Sequence, residues 1–452
     1  MTERSELAET LRSGVSKSLV SLLIKIATAG LTYLMFVVLS RSMRPDDYGN
    51  FAFGLSLATV LAIGASMGQQ TAVLRFWPEE LVAGRRDRAL QALRAGTGLT
   101  LVAGMAISLG LAAFAGLAML VSPGSAQGHI LAAATLVLPL ALAEYFSAAL
   151  RAQGSVWTAL VPRDIFWRLA TPVLAYGFFV AGLRLDGGQA LLLTAILLAV
   201  ALVLQLLMAR RRGYAAGPDF ADIRSYWTER GAASRWFLAG VLLDSAALNI
   251  DIILVGLFVA PESAGIYFNA FRTAGLLTLF MFAITLVAAP MVARHYHAGE
   301  MGKAQAVSAF CAWAGFLFSA GVFVAYLIFG EAILSLFGAG YAEGKTVLIL
   351  LSIGLLMDAA TGPTRIVMMM TGHEKAYVLI FGAIMGLGML AQIAAIPLYG
   401  VVAAAAINMG ARILAQAAIA VWARRRIGLD TSLLGIFRVG RVADRPAPVP
   451  AM

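Results

Sequence analysis

The residues able to do chemistry in this chain are the charges that interrupt its long apolar runs. They are Lys25, Arg168, Arg272, Arg365 and Arg412 against Glu144, Asp244, Asp251 and Asp358. A charge held inside a bilayer is costly, so such residues face a cavity or a partner. The basic members can capture an anion; the acidic ones can carry a proton or a cation, or pair structurally with the basic ones. Spacing adds to this. Ser18, Ser21, Lys25, Thr28 and Thr32 follow at steps of three and four, which draws one polar stripe down an otherwise apolar helix. Ser56, Thr59, Ser66 and Gln70 repeat the pattern in the next run. A lipid-facing helix would carry no such stripe. Bonding to the preceding turn's carbonyl accounts for any single hydroxyl, though not for their alignment.

Asp244 and Asp251 are seven apart, two turns along one helical face, while Asn249 points elsewhere. Asp251 and Arg272 sit at similar depth in adjacent runs, close enough to pair, and a permanent pair would remove Arg272 as a ligand. Glu144 with Arg151, and Asp358 with Arg365, share the same seven-residue separation. Enzyme signatures are poor. There is no P-loop, HExxH or DxD pattern, and Gly386-Leu387-Gly388-Met389-Leu390-Ala391 imitates a dinucleotide fingerprint only inside an apolar helix. His295-Tyr296-His297 lacks carboxylates at ligand-like spacing and reads as interfacial. Cys311 reads as a small core residue, and Gly64 with Gly68, like Gly382 with Gly386, reads as a close-packing pair. No enzymatic activity, metal or cofactor is expected.

The elements that must position these residues are membrane spans. Hydrophobic residues make up 60% of the chain and charged residues 13%, with a mean hydropathy of +0.84, which defines an all-α polytopic membrane protein. Twelve apolar runs, at 18–40, 48–68, 95–121, 130–150, 164–182, 189–209, 236–259, 265–290, 305–330, 346–370, 376–397 and 400–422, suit a hydrocarbon core of roughly 30 Å. Six fall in 1–209 and six in 236–422. Between them, 210–235 reads as a cytoplasmic linker, where Phe220, Ile223, Tyr226 and Trp227 suggest a short interfacial helix. Residues 423–452 read as a cytoplasmic tail, disordered toward Pro446, Pro448 and Pro450. One set of alternate loops holds nearly all the loop Lys and Arg; the other holds Arg41, Arg44, Arg184 and Lys345 only. Both termini are therefore expected in the cytoplasm. The net charge of +10 follows from that topology and from contact with anionic lipids, and calls for no nucleic acid.

The halves also resemble each other. Pro45-Asp46-Asp47-Tyr48-Gly49 returns 216 positions later as Pro261-Glu262-Ser263-Ala264-Gly265. Arg85 to Ala89 has a counterpart in Glu300 to Ala304 at nearly the same offset. With six spans each and the same orientation, the repeat is parallel, with its pseudo-axis along the membrane normal and a cleft between two pseudo-symmetric six-helix lobes. At that offset Ser56 maps onto Arg272, which then projects from the equivalent face of the second half.

The connection from Leu39-Ser40-Arg41 through Pro45-Asp46-Asp47-Tyr48-Gly49 to Gly68, Arg75 and Phe76 resembles the opening of Wzx-type oligosaccharide flippases, polysaccharide transporters of the MOP exporter superfamily. Asp251 to Gly256, Pro261 to Tyr267, Ala270-Phe271-Arg272 and Pro290 are similar to the same family. The resemblance implies a MOP/MATE-like arrangement in a bacterial inner membrane. It also implies alternating access that moves an undecaprenyl-diphosphate-linked oligosaccharide to the periplasmic leaflet, with polymerase or other assembly proteins as partners. Lys25 and Arg272 stand where the family places cationic cavity residues. Ser21, Thr28, Ser56 and Thr59 would then meet sugar hydroxyls, and Asp244, Asp251, Asp358 or Glu144 would serve coupling to H+ or Na+, or ion pairing. A cation-coupled drug exporter of the same fold is the alternative, and it would depend on Asp244 or Asp251 instead of Lys25. A membrane glycosyltransferase would carry a larger outer loop. A scaffold for polysaccharide assembly would tolerate neutral residues at Lys25 and Arg272.

Overall fold

The computed structural model describes residues 24, 26–121, 128–214, 217–221 and 223–440. Among them there is no strand. The helices are α1 (Ile26–Ser42), α2 (Pro45–Ala65), α3 (Gln69–Val82), α4 (Arg86–Val121), α5 (Gly128–Ala152), α6 (Val156–Leu160), α7 (Trp167–Val180), α8 (Gly187–Arg211), α9 (Ile223–Phe258), α10 (Pro261–Ala274), α11 (Leu279–His297), α12 (Met301–Ser335), α13 (Lys345–Thr361), α14 (Thr364–Met370) and α15 (Glu374–Arg426). Local chemistry starts several of them. Pro45 opens α2 with Asp46 and Asp47 in its first turn, where a missing N–H and negative charge are both favourable. A capping box opens α8: the Gln189 N–H donates to Asp186 Oδ1 at 2.7 Å and the Asp186 N–H to Gln189 Oε1 at 3.1 Å.

Among the described residues, eight helices or helix runs are long and apolar enough to cross a membrane. Each apolar run of the sequence lies largely on helix, with residues 24 and 26–40 described of the first and a break at Gly362-Pro363 in the tenth. The difference in number has local causes. Glu374–Arg426 carries two runs, folded at Gly400, whose φ of 65° and ψ of −154° no other residue adopts readily. A π-helical turn, Val161–Phe166, shortens α7, and a 3-10 turn, Gly275–Thr278, divides α10 from α11. The described part of α1 is itself short.

The described residues divide into two compact units, one built from the chain up to Gly256 with Ala260–Gly265, the other from Leu257–Val259 and Ile266 onward. In the first, small residues let helices approach closely, as expected where lipid supplies no hydrophobic drive between them. A Cβ on Gly54 would meet Leu191, one on Gly104 would meet Leu138, and Gly68, at φ +75°, lies against the Ser234 carbonyl and the Leu238 nitrogen of α9.

The polar segment after α8 differs from the separate surface helix its pattern suggests. Its helical residues are the first turns of α9, which runs without a break to Phe258. Tyr226 is buried and its hydroxyl donates to Gln69 Oε1 at 2.7 Å. Arg230 pairs with Glu80, its guanidinium 4.3 Å from the Phe76 ring, and the Asp219 N–H donates to the Arg94 carbonyl at 3.1 Å. The cause is Glu80. This carboxylate is 1% exposed and is held by Arg85 at 2.6 Å as well as by Arg230, because a buried charge demands its counter-charges.

In the second unit the chain beyond α15 folds back. Gln305 of α12 donates to the carbonyls of Asp430 and Gly435 at 2.7 and 3.0 Å and accepts from the Asp430 N–H at 2.9 Å. Trp313 Nε1 donates to the Leu433 carbonyl at 3.0 Å. The proline-rich end expected to be disordered lies in 441–452, outside the described residues.

Gly68→Ala is expected to destabilise the protein by about 1–3 kcal/mol, because a Cβ at 2.5 Å from a backbone oxygen forces α3 and α9 apart. Gly64→Ala, which meets open space, should change stability by no more than about 0.5 kcal/mol. Thermal unfolding of the two variants in detergent checks the contrast; equal midpoints would contradict the close approach.

Candidate functional site

Of the residues that sequence reasoning singles out, Lys25, Ser18 and Ser21 lie outside the described residues. The first polar stripe is described from Thr28, which is buried and donates to the Ile24 carbonyl at 2.6 Å. Thr32 donates to the Thr28 carbonyl at 2.7 Å, Thr59 to Leu55 at 2.7 Å and Ser66 to Ile63 at 2.6 Å. Each of these hydroxyl protons is spent within its own helix, so only lone pairs remain for a ligand, and they accept hydrogen bonds from it. Ser56 is fully buried, and its oxygen has no hydrogen-bond partner among the described residues.

Four charges gather in the first unit around the π-helical turn. Glu144 of α5 pairs with Arg163, whose other arm reaches Asp164 Oδ1 at 3.4 Å. Arg168 of α7 donates to the Asp164 carbonyl at 3.1 Å and lies 3.4 Å from its carboxylate, with the guanidinium 4.5 Å from the Trp167 ring. Arg151, seven residues from Glu144, donates through Nε to the Ser147 carbonyl at 3.2 Å. Arg163 and Asp164 are functional-type charges that sequence reasoning missed. They sit where a basic loop passes into an apolar run, and the signal that could have found them is the four-residue step from Asp164 to Arg168, which places both on one helical face.

On α9, Asp251 and Asn249 are buried and Asp244 is half-buried. Asn249 Nδ2 donates to the Ser245 carbonyl at 3.0 Å. Asp244 and Asp251 belong to the first unit and Arg272 to the second. Arg272 is half-buried in the last turn of α10, its guanidinium 4.9 Å from the Phe268 ring of its own helix.

Within the second unit, Asp358 of α13 accepts from Arg412 Nη1 of α15 at 2.7 Å. Arg412 is buried, and the other carboxylate oxygen, Asp358 Oδ1, has no hydrogen-bond partner among the described residues. Arg365, seven residues from Asp358, lies 5.8 Å from the Tyr377 ring. The reason is the break at Gly362-Pro363. Gly362 takes φ 66°, ψ −154° and ends α13, so Asp358 and Arg365 stand on different helices and their seven-residue spacing loses its meaning.

The two histidines in the last turn of α11 both have partners. His295 Nδ1 lies 2.6 Å from Glu300 Oε2, and His297 Nε2 lies 3.2 Å from the Met370 carbonyl. Lys303, whose Nζ donates to Glu300 at 2.7 Å, and then His295 hold the Glu300 carboxyl below the usual carboxylate range.

Helices of this length and apolarity, with charges buried in pairs, make the chain a multi-pass membrane protein. Its fold is that of the MOP superfamily transporters. An inward-facing multidrug resistance MATE family transporter of that superfamily has a TM-score of 0.69 and 13% identity over 90% of this chain and 98% of that one. The lipid II flippase MurJ, inward closed, has a TM-score of 0.68 and 13% identity over 94% of each chain. A MOP superfamily transporter from Pyrococcus furiosus, described by the reverse polarity of its binding pocket, has a TM-score of 0.65 and 14% identity over 92% of this chain and 95% of that one. At these identities the likeness is one of fold. The model of the polysaccharide biosynthesis protein family matches residues 15–295, and the chain belongs to that family. No curated protein matches it in sequence.

Removing one partner of the Asp358–Arg412 pair leaves the other charge buried. Arg412→Met or Asp358→Leu alone is expected to lower stability by about 3–5 kcal/mol, and the double substitution to recover most of that loss. Thermal unfolding in detergent tests this, and additive losses in the double variant would contradict a structural pair.

Proposed function

We propose that the protein is a flippase that carries an undecaprenyl-diphosphate-linked oligosaccharide from the cytoplasmic to the periplasmic leaflet of a bacterial inner membrane. It would do so by alternating access through a cationic cavity, with 1–209 and 236–422 as its repeated halves, 210–235 as their linker and both termini in the cytoplasm. The observation that carries this reading is the combination of a polysaccharide-biosynthesis family match over 15–295 with a transporter fold. A family member whose described residues form mainly long apolar helices is suited to moving the glycan, and a lipid-linked substrate would stay with the bilayer. Polymerase or other assembly proteins are its expected partners on the far side.

Lys25 and Arg272 are the proposed ligands of the diphosphate, whose two charges suit an ammonium and a guanidinium. Thr28 and Thr59, with their protons committed to their own helices, would accept hydrogen bonds from sugar hydroxyls; Ser21 and Ser56 complete the proposed polar lining. Asp358 is held by Arg412 and Glu144 by Arg163, which favours a structural role for both. Asp244 and Asp251 are left as the candidates for H+ or Na+ coupling. Moving two negative charges outward across an inside-negative membrane is downhill by about 5 kcal/mol per 100 mV.

In proteoliposomes, Lys25→Ala and Arg272→Ala are expected to abolish glycolipid flipping without loss of folded protein. Collapse of the membrane potential at clamped pH gradient should slow the wild type. Undiminished flipping by both variants would remove the diphosphate-binding role. Dependence on Asp244 or Asp251 together with indifference to Lys25 would favour a cation-coupled exporter.

A further inference from the structure

The two arms of α15 fold against each other at Gly400 and touch near that fold. A Cβ on Gly388 would lie 2.8 Å from that of Ala411, and Gln392 Nε2 donates to the Ala404 carbonyl at 3.2 Å. Beyond this contact, toward the ends of the arms, lies an open groove of about 600 Å³, within the roughly 300–1,000 Å³ typical of small-molecule sites. Ile380, Leu414 and Val421 line it first, Trp422 follows, and Arg425 and Arg426 close its end.

That order is the cross-section of one bilayer leaflet: hydrocarbon, then the aromatic belt, then the phosphate level. The groove is also built. The Trp422 ring is set edge-on to the His373 ring at 5.3 Å. Of the three successive arginines that end α15, Arg424 is turned away to Asp430 at 3.6 Å. Arg425 and Arg426 are exposed and enter no ion pair among the described residues. Two adjacent guanidiniums without carboxylates, at the mouth of an apolar groove, present the donors that a phosphodiester accepts.

We infer that this groove is a binding site for one anionic phospholipid of the leaflet bearing the arginine-rich loops, its phosphate on Arg425 and Arg426 and an acyl chain along Ile380, Leu414 and Val421. The site lies within the second unit and does not depend on what the protein transports. It distinguishes a resident lipid, selected by headgroup charge, from the lipids that merely surround the helices.

The test uses the full chain in detergent, titrated with phosphatidylglycerol or phosphatidylcholine carrying the same brominated acyl chains. Quenching of Trp422 is read as the difference between the wild type and Trp422→Phe. The expected result is half-quenching at a several-fold lower concentration of phosphatidylglycerol than of phosphatidylcholine. Arg425→Gln with Arg426→Gln should make the two lipids equal, while Arg424→Gln keeps the preference. Ala418→Phe, which fills the groove, should weaken both. Equal quenching by the two lipids in the wild type, or a preference that survives the double substitution, overturns the proposal. Displacement of the brominated lipid by inorganic phosphate would make the site one for a free anion, and displacement by equimolar undecaprenyl phosphate would assign it to a prenyl chain; either also overturns it.

Discussion

A polar group left unsatisfied in hydrocarbon costs several kcal/mol, and most of what distinguishes this structure follows from that penalty. Helices satisfy the backbone, and several of the charges within them are paired with each other. Asp358 is held by Arg412, Glu144 by Arg163, and Asp164 by both Arg163 and Arg168. The same rule reaches beyond the apolar cores of the spans. Glu80 gathers Arg85 and Arg230, and by doing so fixes the first turns of α9 onto α3. A residue that looks like one more charge in a polar loop thus ties down the start of the long helix α9.

Glycine supplies the counterpart to these electrostatic ties. At Gly68 it allows two helices to touch backbone to backbone, and at Gly362 and Gly400 it allows the chain to leave a helix in a conformation closed to other residues. These breaks determine which charges can meet. Because Gly362 ends α13, Asp358 turns to Arg412 on α15 and not to Arg365 three residues beyond that glycine. Because Gly400 folds α15, its two arms enclose a groove ending in arginines.

The sequence reveals the helices well, since each apolar run is long and the ends carry readable signals such as Pro45-Asp46-Asp47 and the Asp186 to Gln189 capping box. It reveals the pairing of charges poorly. Seven-residue spacing predicts a partner only while the helix continues, and the Gly362-Pro363 dipeptide that cancels it for Asp358 lies inside an apolar run whose composition hides it. Arg151 shares a helix with Glu144, yet the carboxylate goes to Arg163, which a turn of the chain brings back to α5. Alignment of hydroxyls along α2 is legible too. The bonds of Thr59 and Ser66 to their own carbonyls are not, because composition does not distinguish a hydroxyl turned to its helix from one offered to a ligand.

The central claim is that a family devoted to polysaccharide biosynthesis here uses a transporter fold to move a lipid-linked glycan. It is tested most directly by reconstituting the wild-type chain alone in liposomes with a fluorescent undecaprenyl-diphosphate oligosaccharide, and following access of an impermeant quencher to the opposite leaflet. The account predicts translocation above that of protein-free vesicles and greater for the diphosphate-linked glycan than for an uncharged glycolipid of equal size. Folded, inserted protein that leaves the glycan-bearing lipid in its original leaflet, while driving a small cation across the same membrane, would contradict it.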